Sequence, residues 1–287
     1  LEALCGAADI TLLSNPANVG MLGNLRECSS LMLSRHVWII GDDDFIRPGA
    51  IERVLNALAE FPQLPILSHN FAVFFRQSIG AGDTVAQFHR EATPVSLAAI
   101  ESGLHSIATI AEQHDNLFTA IYPIVMRSDL LAACFNFPFD GPPFESLVES
   151  VPTSKFIFES LRCCYGYWIS DIGISGNAHN SWSSHRPRWH LVLMPQVLAL
   201  AREAGVDEMT IWKWMKTQLS LFVESVDLAI VSKSLAYLSK DDLIEARWRF
   251  RSNIRVPPML RVSQRPNPWL WQAADAEGQL NPVAQPN

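Results

Sequence analysis

The sequence lacks a hydrophobic run long enough to cross a membrane. A membrane-spanning helix needs about 18 or more consecutive apolar residues, whereas the best candidate stretch, Leu219 to Val231, is interrupted by Glu224 and Asp227. The N-terminal residues also lack the basic segment and the cleavage site of a secretory signal peptide. We therefore expect a cytoplasmic protein, with at most a peripheral contact at the inner face of the membrane.

Cysteine and positive charge are both scarce. The five cysteines are an odd number without the spacing of a disulfide framework, so a reducing compartment is the simpler interpretation. The formal net charge of -7 argues against non-specific binding of nucleic acid. An anionic substrate would therefore need a local site, for example one that carries a metal ion.

Three common motifs, which bind phosphate groups or present a catalytic nucleophile, are also missing. The sequence contains no GxGxxG, no Walker loop and no GxSxG. Their absence removes the main support for dinucleotide-binding, P-loop and α/β-hydrolase assignments. A metal-dependent phosphodiesterase or nucleotidyltransferase is a further alternative, but the chain lacks the additional His/Asp clusters of the former and the Gly-rich phosphate loop of the latter.

The hydrophobic pattern predicts an α/β protein in which strands and helices alternate through the first half. Of the 287 residues, 48% are hydrophobic, which is enough to bury a sizeable core. The predicted strands are Ile10–Ser14, Val37–Ile40, Ile66–Ser68 with Phe71–Phe75, Phe118–Met126 and Tyr165–Ile174. The predicted helices are Gly23–Leu33, Pro48–Leu58, one or two within Pro94–Glu112, Val151–Leu161, Pro195–Ala204, Met209–Val231 and Asp241–Phe250. The stretch Ser78–Ala92 is predicted as a surface loop.

The same pattern divides the chain into three parts. Residues 1–190 form the predicted α/β domain, residues 191–255 a helical extension, and residues 256–287 an extended tail rich in Pro, Asn and Gln. Four aromatic residues of the extension are most simply explained by helix packing: Trp212, Trp214, Phe222 and Trp248. Together with Trp269 and Trp271 of the tail, they could instead form a homo-oligomer contact.

Three adjacent carboxylates, Asp42, Asp43 and Asp44, follow the predicted strand Val37–Ile40. Carboxylates this close repel one another unless a cation neutralises them, and Mg²⁺ and Mn²⁺ prefer oxygen ligands. In an extended segment Asp42 and Asp44 point to one side and Asp43 to the other, so one acid can face a metal while its neighbour meets a ribose hydroxyl or a water. The alternative is a solvated turn whose acids favour the N-terminus of the next helix.

At these residues the chain resembles the inverting glycosyltransferases of family two, which have the GT-A fold. Two motifs carry the resemblance. They are Asn18-Val19-Gly20 with Asn24 on the following helix, and Trp38 to Asp44 followed by Pro48-Gly49-Ala50-Ile51. The resemblance implies a GT-A-like, Rossmann-like mixed sheet flanked by helices, here with a helical C-terminal extension.

The resemblance also implies a nucleotide-sugar site. Asn18, Gly20 and Asn24 would contact the donor together with Asp42 and Asp43. Asp42 and Asp44 would be the DXD pair that holds the donor diphosphate through Mn²⁺ or Mg²⁺. The family begins with a strand and loop that bind the nucleobase, and these elements would precede Leu1. The chain is therefore either a fragment of a longer product or a relative without base recognition.

Inverting transfer also needs a general base that accepts the proton of the acceptor hydroxyl. The family usually has an adjacent Glu-Asp pair after a segment like Ile121–Arg127, and this chain has none. We prefer Glu149 as the base, because it lies just before the predicted helix start at Pro152, where the resemblance places the acid. Glu145 is nearly as good a candidate, and two exposed loop acids without a catalytic role are the alternative.

Histidines in the next segment are candidate metal ligands. By the same resemblance, His179 or His185 would add a late ligand to the metal, although either histidine could instead cap or pack. The segment from His185 to Trp189 nearly matches the QxxRW motif of processive synthases, with His185 at the Gln position. A chance match is the alternative, since the chain has no predicted membrane spans.

These observations together predict a metal-dependent glycosyltransferase. It would move a sugar from a nucleotide-diphosphate donor to a glycan or lipid-linked acceptor in cell-surface polysaccharide biosynthesis. A non-catalytic GT-A-like subunit, which would assemble with partners through its Trp-rich C-terminal end, is the rival interpretation.

Overall fold

The computed structural model describes residues 13–32, 34–76, 78–80, 82–95, 100–114, 117–136, 144–178, 185 and 188–218. All of them belong to one compact unit, Leu1–Ala246. Two predicted elements, Ile10–Ser14 and Asp241–Phe250, lie wholly or largely outside the described residues. In the part of the chain that is described, no helix combines the length and the apolar character needed to cross a bilayer.

The described elements alternate between strand and helix. The strands are β1 His36–Trp38, β2 Phe45–Ile46, β3 Ile66–Phe74, β4 Thr93–Pro94, β5 Gly103–Ser106, β6 Ile124–Arg127 and β7 Tyr165–Asn177. The helices are α1 Gly20–Ser29, α2 Ala50–Glu60, α3 Val85–Glu91, α4 Ile107–Ala111, α5 Ser128–Phe135, α6 Pro152–Ser160 and α7 Met194–Glu203. A π-helical turn, Trp189–Leu193, leads into α7, and residues 208–218 are helical.

The strands form one mixed sheet in the order β1-β6-β3-β7-β2, with β4 paired to β3 and β5 paired to β7. Among the described strand pairs, β3–β7 is the only parallel one. Because β1 and β3 are both antiparallel to β6, β1 runs in the same direction as β3 and β7. The carboxyl ends of these three strands therefore lie at one edge of the sheet, which is where sites occur in α/β proteins.

Both faces of the sheet are covered. Neighbouring residues of a strand point to opposite faces, and the packing follows that rule at the start of β3. Leu67 packs with Val54 and Ala57 of α2 on one face. Ile66 belongs to the larger cluster on the other face, to which α4, α5, α6 and α7 contribute buried residues. The result is a three-layer α/β arrangement, in agreement with the predicted mixed sheet flanked by helices.

Strand β7 leaves its regular register with β3 in the middle of the pair. His69 pairs with Ile169, Asn70 with Ile172 and Phe71 with Ile174, so β7 carries three additional residues over two steps of β3. Bulges of this kind bend a strand and redirect its side chains, and they are common beside functional sites.

Several predicted elements have the expected type with shifted ends. Helix α1 begins at Gly20 rather than Gly23, and α2 begins at Ala50, directly after Pro48-Gly49. Pro152 opens α6 as predicted, because a proline at the first helical position leaves no hydrogen bond unmade. The predicted helix Pro195–Ala204 corresponds to α7.

Three predictions were wrong. The expected loop Ser78–Ala92 contains α3, whose first turn is capped by the Thr84 side chain and whose Phe88 stacks on two other phenylalanines. The expected helical region Pro94–Glu112 contains β5, because this segment pairs with β7 before α4 begins. The expected strand Phe118–Met126 is a strand only at Ile124–Arg127. In each case a contact with residues distant in sequence decides the local structure.

Candidate active site

The aspartate triplet lies between β1 and β2. Residues 42 and 43 form a turn, in which the Asp44 amide donates to the Gly41 carbonyl (3.3 Å) and the Gly41 amide donates to Asp44 Oδ2 (3.0 Å). The segment is therefore not extended, and the expected alternation of Asp42 and Asp44 on one side does not describe it. The turn folds the Asp44 carboxylate back toward the backbone, while Asp42 is exposed.

Glycine at position 41 is what lets the carboxylate approach so closely. A Cβ atom on Gly41 would lie 2.7 Å from Asp44 Oδ2 and 3.3 Å from Asp43 Oδ1. Atoms separated by 2.7 Å overlap, so a larger residue would push the Asp44 carboxylate away. The sequence Gly41-Asp42-Asp43-Asp44 thus specifies the turn and the position of its last acid together.

The surroundings of Asp44 disfavour its ionised form. Burial is the main cause, and the charges of Asp43 and Asp42 add to it, so the pKa of Asp44 is raised to about 6 although backbone amides of Gly41 and Asn177 donate to the carboxylate. The described structure provides no cation beside this carboxylate in its ion pairs. Among the described residues, no ion pair therefore balances the negative charge of this turn at the carboxyl edge of the sheet.

Tyr122 lies against the same turn. Its backbone carbonyl accepts a hydrogen bond from the Trp38 indole (2.7 Å), and its ring would overlap a Cβ on Gly176 at 2.7 Å. Burial and then the charges of Asp44 and Asp43 raise the pKa of the Tyr122 hydroxyl, which therefore stays neutral. Three segments thus meet here: the loop after β1, the residues before β6, and the end of β7.

The donor set of the turn suits a hard divalent cation. Mg²⁺ is usually held by one or two carboxylates together with substrate phosphates, rather than by a complete protein cage. Within the described ranges, no group of three or more His, Cys, Asp or Glu side chains is placed to hold a metal ion. Asp42 and Asp44, the expected metal pair, belong to this turn, whereas His179 lies outside the described residues.

The expected donor-binding residues at the start of α1 make local hydrogen bonds. Asn18 Oδ1 accepts from the Gly20 amide (2.9 Å), and Asn15 Nδ2 donates to Asn24 Oδ1 (2.6 Å). Gly20 has a φ of 70°, a left-handed conformation that glycine adopts without strain, and a Cβ there would meet nothing within 4 Å. These contacts fix the turn that starts α1 and leave it exposed.

Glu149 and Glu145 lie in the segment that precedes α6. The Ser146 hydroxyl donates to Glu149 Oε2, whereas the Glu145 side chain is exposed. The segment begins at Phe144, which has a φ of 65°, a costly conformation for a residue with a side chain. Of the two candidate bases, Glu149 is the more enclosed and the more firmly oriented.

Two residues, His185 and Arg188, hold this segment in place. Arg188 donates from Nε to the Phe144 carbonyl (2.6 Å) and from a terminal nitrogen to the Glu145 carbonyl (2.7 Å). The His185 ring stacks on Phe144 with centroids 4.8 Å apart, and burial, followed by the Arg188 charge, lowers the His185 pKa. His185 thus packs on Phe144 in the segment that carries the two candidate bases, and the contacts of Arg188 support the backbone of that segment.

Tyr122 and Asn177 are the parts of the site that sequence reasoning missed. Asn177 lies at the carboxyl end of β7, three residues beyond the predicted strand end at Ile174. A longer strand prediction would have placed it beside Asp44, because the ends of parallel strands meet at one edge. No sequence signal points to Tyr122, whose position depends on the path of the chain before β6.

Comparison with known proteins gives limited similarity. No protein-family model matches the chain. No curated protein is similar to it in sequence either. Among solved structures, the chain is similar to residues 1–349 of TarS from S. aureus, with a TM-score of 0.41 and 12% sequence identity. The superposition covers 80% of this chain and 59% of that chain.

Proposed function

We propose that this protein is a metal-dependent glycosyltransferase of the GT-A, family-two type. It transfers a sugar, with inversion, from a nucleotide-diphosphate donor to a glycan or lipid-linked acceptor in cell-surface polysaccharide biosynthesis. The protein acts in the cytoplasm or at the inner face of the membrane, and nucleic acid is not a partner.

The observation that carries the proposal is the uncompensated charge of the aspartate turn. Asp44 is folded into the carboxyl edge of the sheet next to two further carboxylates, and its pKa is raised to about 6. Three adjacent acids do not favour stability there, because each ionised neighbour raises the cost of ionising Asp44. A divalent cation removes that cost and supplies the charge that an overall anionic protein needs to bind a diphosphate.

In the proposed site, Asp42 and Asp44 hold Mn²⁺ or Mg²⁺, and His185 or His179 is the candidate additional ligand. A bound cation of this kind stabilises the diphosphate leaving group. Asp43 binds the donor ribose, and Asn18, Gly20 and Asn24 are the proposed donor contacts near the start of α1. The Tyr122 hydroxyl, which stays protonated, can donate a hydrogen bond to an oxygen of the donor.

Glu149 is the proposed general base. It accepts a hydrogen bond from Ser146 and lies in a segment that Arg188 fixes through two backbone carbonyls. A base must be held within hydrogen-bonding distance of the acceptor hydroxyl, and these contacts restrict the freedom of the loop. Glu145, being exposed, remains the second candidate for this role.

One observation favours the rival, a non-catalytic GT-A-like subunit. The Asp44 carboxylate already accepts from the Gly41 amide, so the acid also serves to fix its own turn. In that case the three acids form a solvated loop, and the Trp-rich C-terminal part would provide the contact for a partner or for a second copy.

Calorimetry distinguishes the two functions. The chain is titrated with a panel of nucleoside diphosphates in the presence and in the absence of Mn²⁺, and we expect saturable heat with at least one of them that requires the metal. The Asp44→Ala variant should lose this binding and all detectable transfer, because the proposed metal pair is broken, while circular dichroism shows the fold retained.

Asp129→Ala is the matched control. Asp129 is an exposed acid that pairs with Arg127, outside the aspartate turn, so metal-dependent binding should be unchanged in this variant. If no nucleoside diphosphate gives metal-dependent heat, the enzyme proposal fails and the non-catalytic subunit becomes the better explanation.

A further inference from the structure

A second site is suggested by the open depression beside the bulge of β7. It has a volume of about 510 Å³ and is bordered by the start of α2, the middle of β3 and the bulged part of β7. Ser170, Asp171 and Ile172 form its β7 wall, at the point where this strand leaves the register of β3. The additional residues of β7 thus help to form the depression, while the aspartate turn contributes no residue to its lining.

Two arginines line the depression without sufficient negative charge to balance them. Arg47 donates to the Ser175 hydroxyl (2.9 Å) and to the His89 carbonyl (2.8 Å), which are both neutral, and no carboxylate pairs with it in the described part of the chain. Burial lowers the pKa of Arg47, as expected where a guanidinium has no carboxylate partner.

Arg53 is also incompletely satisfied. Its Nε is buried and has no hydrogen-bond acceptor among the described residues. The nearest carboxylate oxygen, Asp171 Oδ2, is 3.7 Å away on a side chain that is 67% exposed. An exposed ion pair of this length contributes little, so Asp171 neutralises the Arg53 guanidinium only weakly.

The rest of the lining is suited to an anionic ligand. Pro48 brings the N-terminal end of α2, where the helix dipole is positive, to the same depression. Asn70 of β3 is 6% exposed and also lines the depression, and its amide donates to the Ser170 carbonyl. The lining therefore holds two guanidinium groups, one weakly paired carboxylate and a helix N-terminus.

We propose that this depression binds the oxyanion group, phosphate or carboxylate, of a small molecule, and that Arg47 and Arg53 are its ligands. Guanidinium groups form short, charge-assisted hydrogen bonds with both kinds of oxyanion. The volume accommodates a sugar ring that carries such a group. The inference does not rest on the proposed glycosyl transfer, since it needs neither the aspartate turn nor a metal.

The test is calorimetry of the full chain with inorganic phosphate and, separately, with glucuronate. Both titrations are made at constant ionic strength with EDTA present, so that binding through a metal at the aspartate turn is excluded. We expect saturable binding of one anion per chain. The probe that binds more tightly identifies the ligand's anionic group as phosphate or carboxylate.

Three variants separate this site from general attraction to positive charge. Arg53→Gln should weaken binding by about tenfold or more, because a charge-assisted hydrogen bond is lost. Asp171→Asn should tighten binding by up to about fivefold, because the competing carboxylate is removed. Arg162→Gln removes an exposed arginine away from the depression and should leave the affinity unchanged.

Arg53 is substituted instead of Arg47, because Arg47 also links α3 to β7 through its hydrogen bonds to the His89 carbonyl and the Ser175 hydroxyl. Substitution of Arg47 would therefore disturb the fold as well as the binding of the anion. Absence of saturable binding with both probes would overturn the proposal. Equal affinities of the wild-type chain and the Arg53→Gln variant would overturn it as well.

Discussion

The candidate active site has a first half, the aspartate turn at residues 42–44, and a second half, the segment 144–149 before α6. The two halves hold their acids in opposite ways. Asp44 is partly buried beside two like charges, and its pKa is raised to about 6. Glu149 instead accepts a hydrogen bond from Ser146 in a segment that Arg188 fixes. The surroundings of Asp44 disfavour its charge, whereas Glu149 has a hydrogen-bond donor within the protein. The first should therefore respond to pH and metal, and the second to the loss of individual hydrogen bonds.

The largest expected effect tests the second half. Glu149→Gln should lower kcat/KM for sugar transfer by about 100-fold or more, because an amide cannot accept the acceptor's proton. Metal-dependent binding of the nucleoside diphosphate should be unchanged, since the aspartate turn is intact. Rates are measured with the donor that calorimetry identifies.

Glu145→Gln is the matched control for this prediction, because Glu145 lies in the same segment with an exposed side chain. Its transfer rate should be close to that of the wild-type chain. A larger loss in Glu145→Gln than in Glu149→Gln would reverse the assignment and make Glu145 the base.

The second prediction concerns the pH dependence of stability in the first half. Between about pH 4 and pH 6 the unfolded chain has an ionised Asp44 while the folded chain keeps it protonated. The free energy of unfolding should therefore fall as pH rises through this range, by up to about 3 kcal/mol from this group. Above pH 6 both states are ionised and the loss is complete.

Urea unfolding in metal-free buffer at several pH values measures this effect as the difference between the wild-type chain and Asp44→Asn. The variant keeps an acceptor for the Gly41 amide but carries no charge, so the difference isolates the ionisation of Asp44. Parallel pH profiles for the two proteins would show that the carboxylate is not under electrostatic strain.

The smallest expected effect tests how the second half is held. Arg188→Gln removes the charged donor to the Phe144 and Glu145 carbonyls and should lower the free energy of unfolding by about 1–2 kcal/mol. Arg162→Gln, an exposed arginine, is the control and should have no effect. An Arg188 variant as stable as the control would mean that the left-handed Phe144 needs no support from these hydrogen bonds.

The fold could be predicted from the sequence wherever one segment determines its own structure. Pro152 marks the start of α6 by its fixed backbone angle, and Pro48-Gly49 stands directly before the first residue of α2. In contrast, β5 was predicted as helix, because only its pairing with β7 makes it a strand. Local propensity cannot report a hydrogen-bonding partner 60 residues away.

The residues of the candidate site also fall into two groups, those that a local sequence pattern marks and those that only contacts between distant segments place. The aspartate triplet, Glu149 and His185 were found in the sequence because each lies beside a recognisable strand end, helix start or motif. Tyr122 was not, since its ring reaches Asp44 only through the packing of three separate segments. The arginines of the β7 depression also gave no sequence signal, because a bulge becomes visible only from the pairing of two strands.

The sequence by itself determined the α/β class and the position of the three acids after Gly41, because composition and periodicity are local properties. The turn at these acids replaced the extended segment that the sequence predicted. Tertiary structure decided which strand ends share an edge, how far each acid is buried and, among the described residues, which arginine has no carboxylate partner. These depend on burial and on charges brought together from distant segments, and the electrostatic cost of a carboxylate is fixed only when its surroundings are complete.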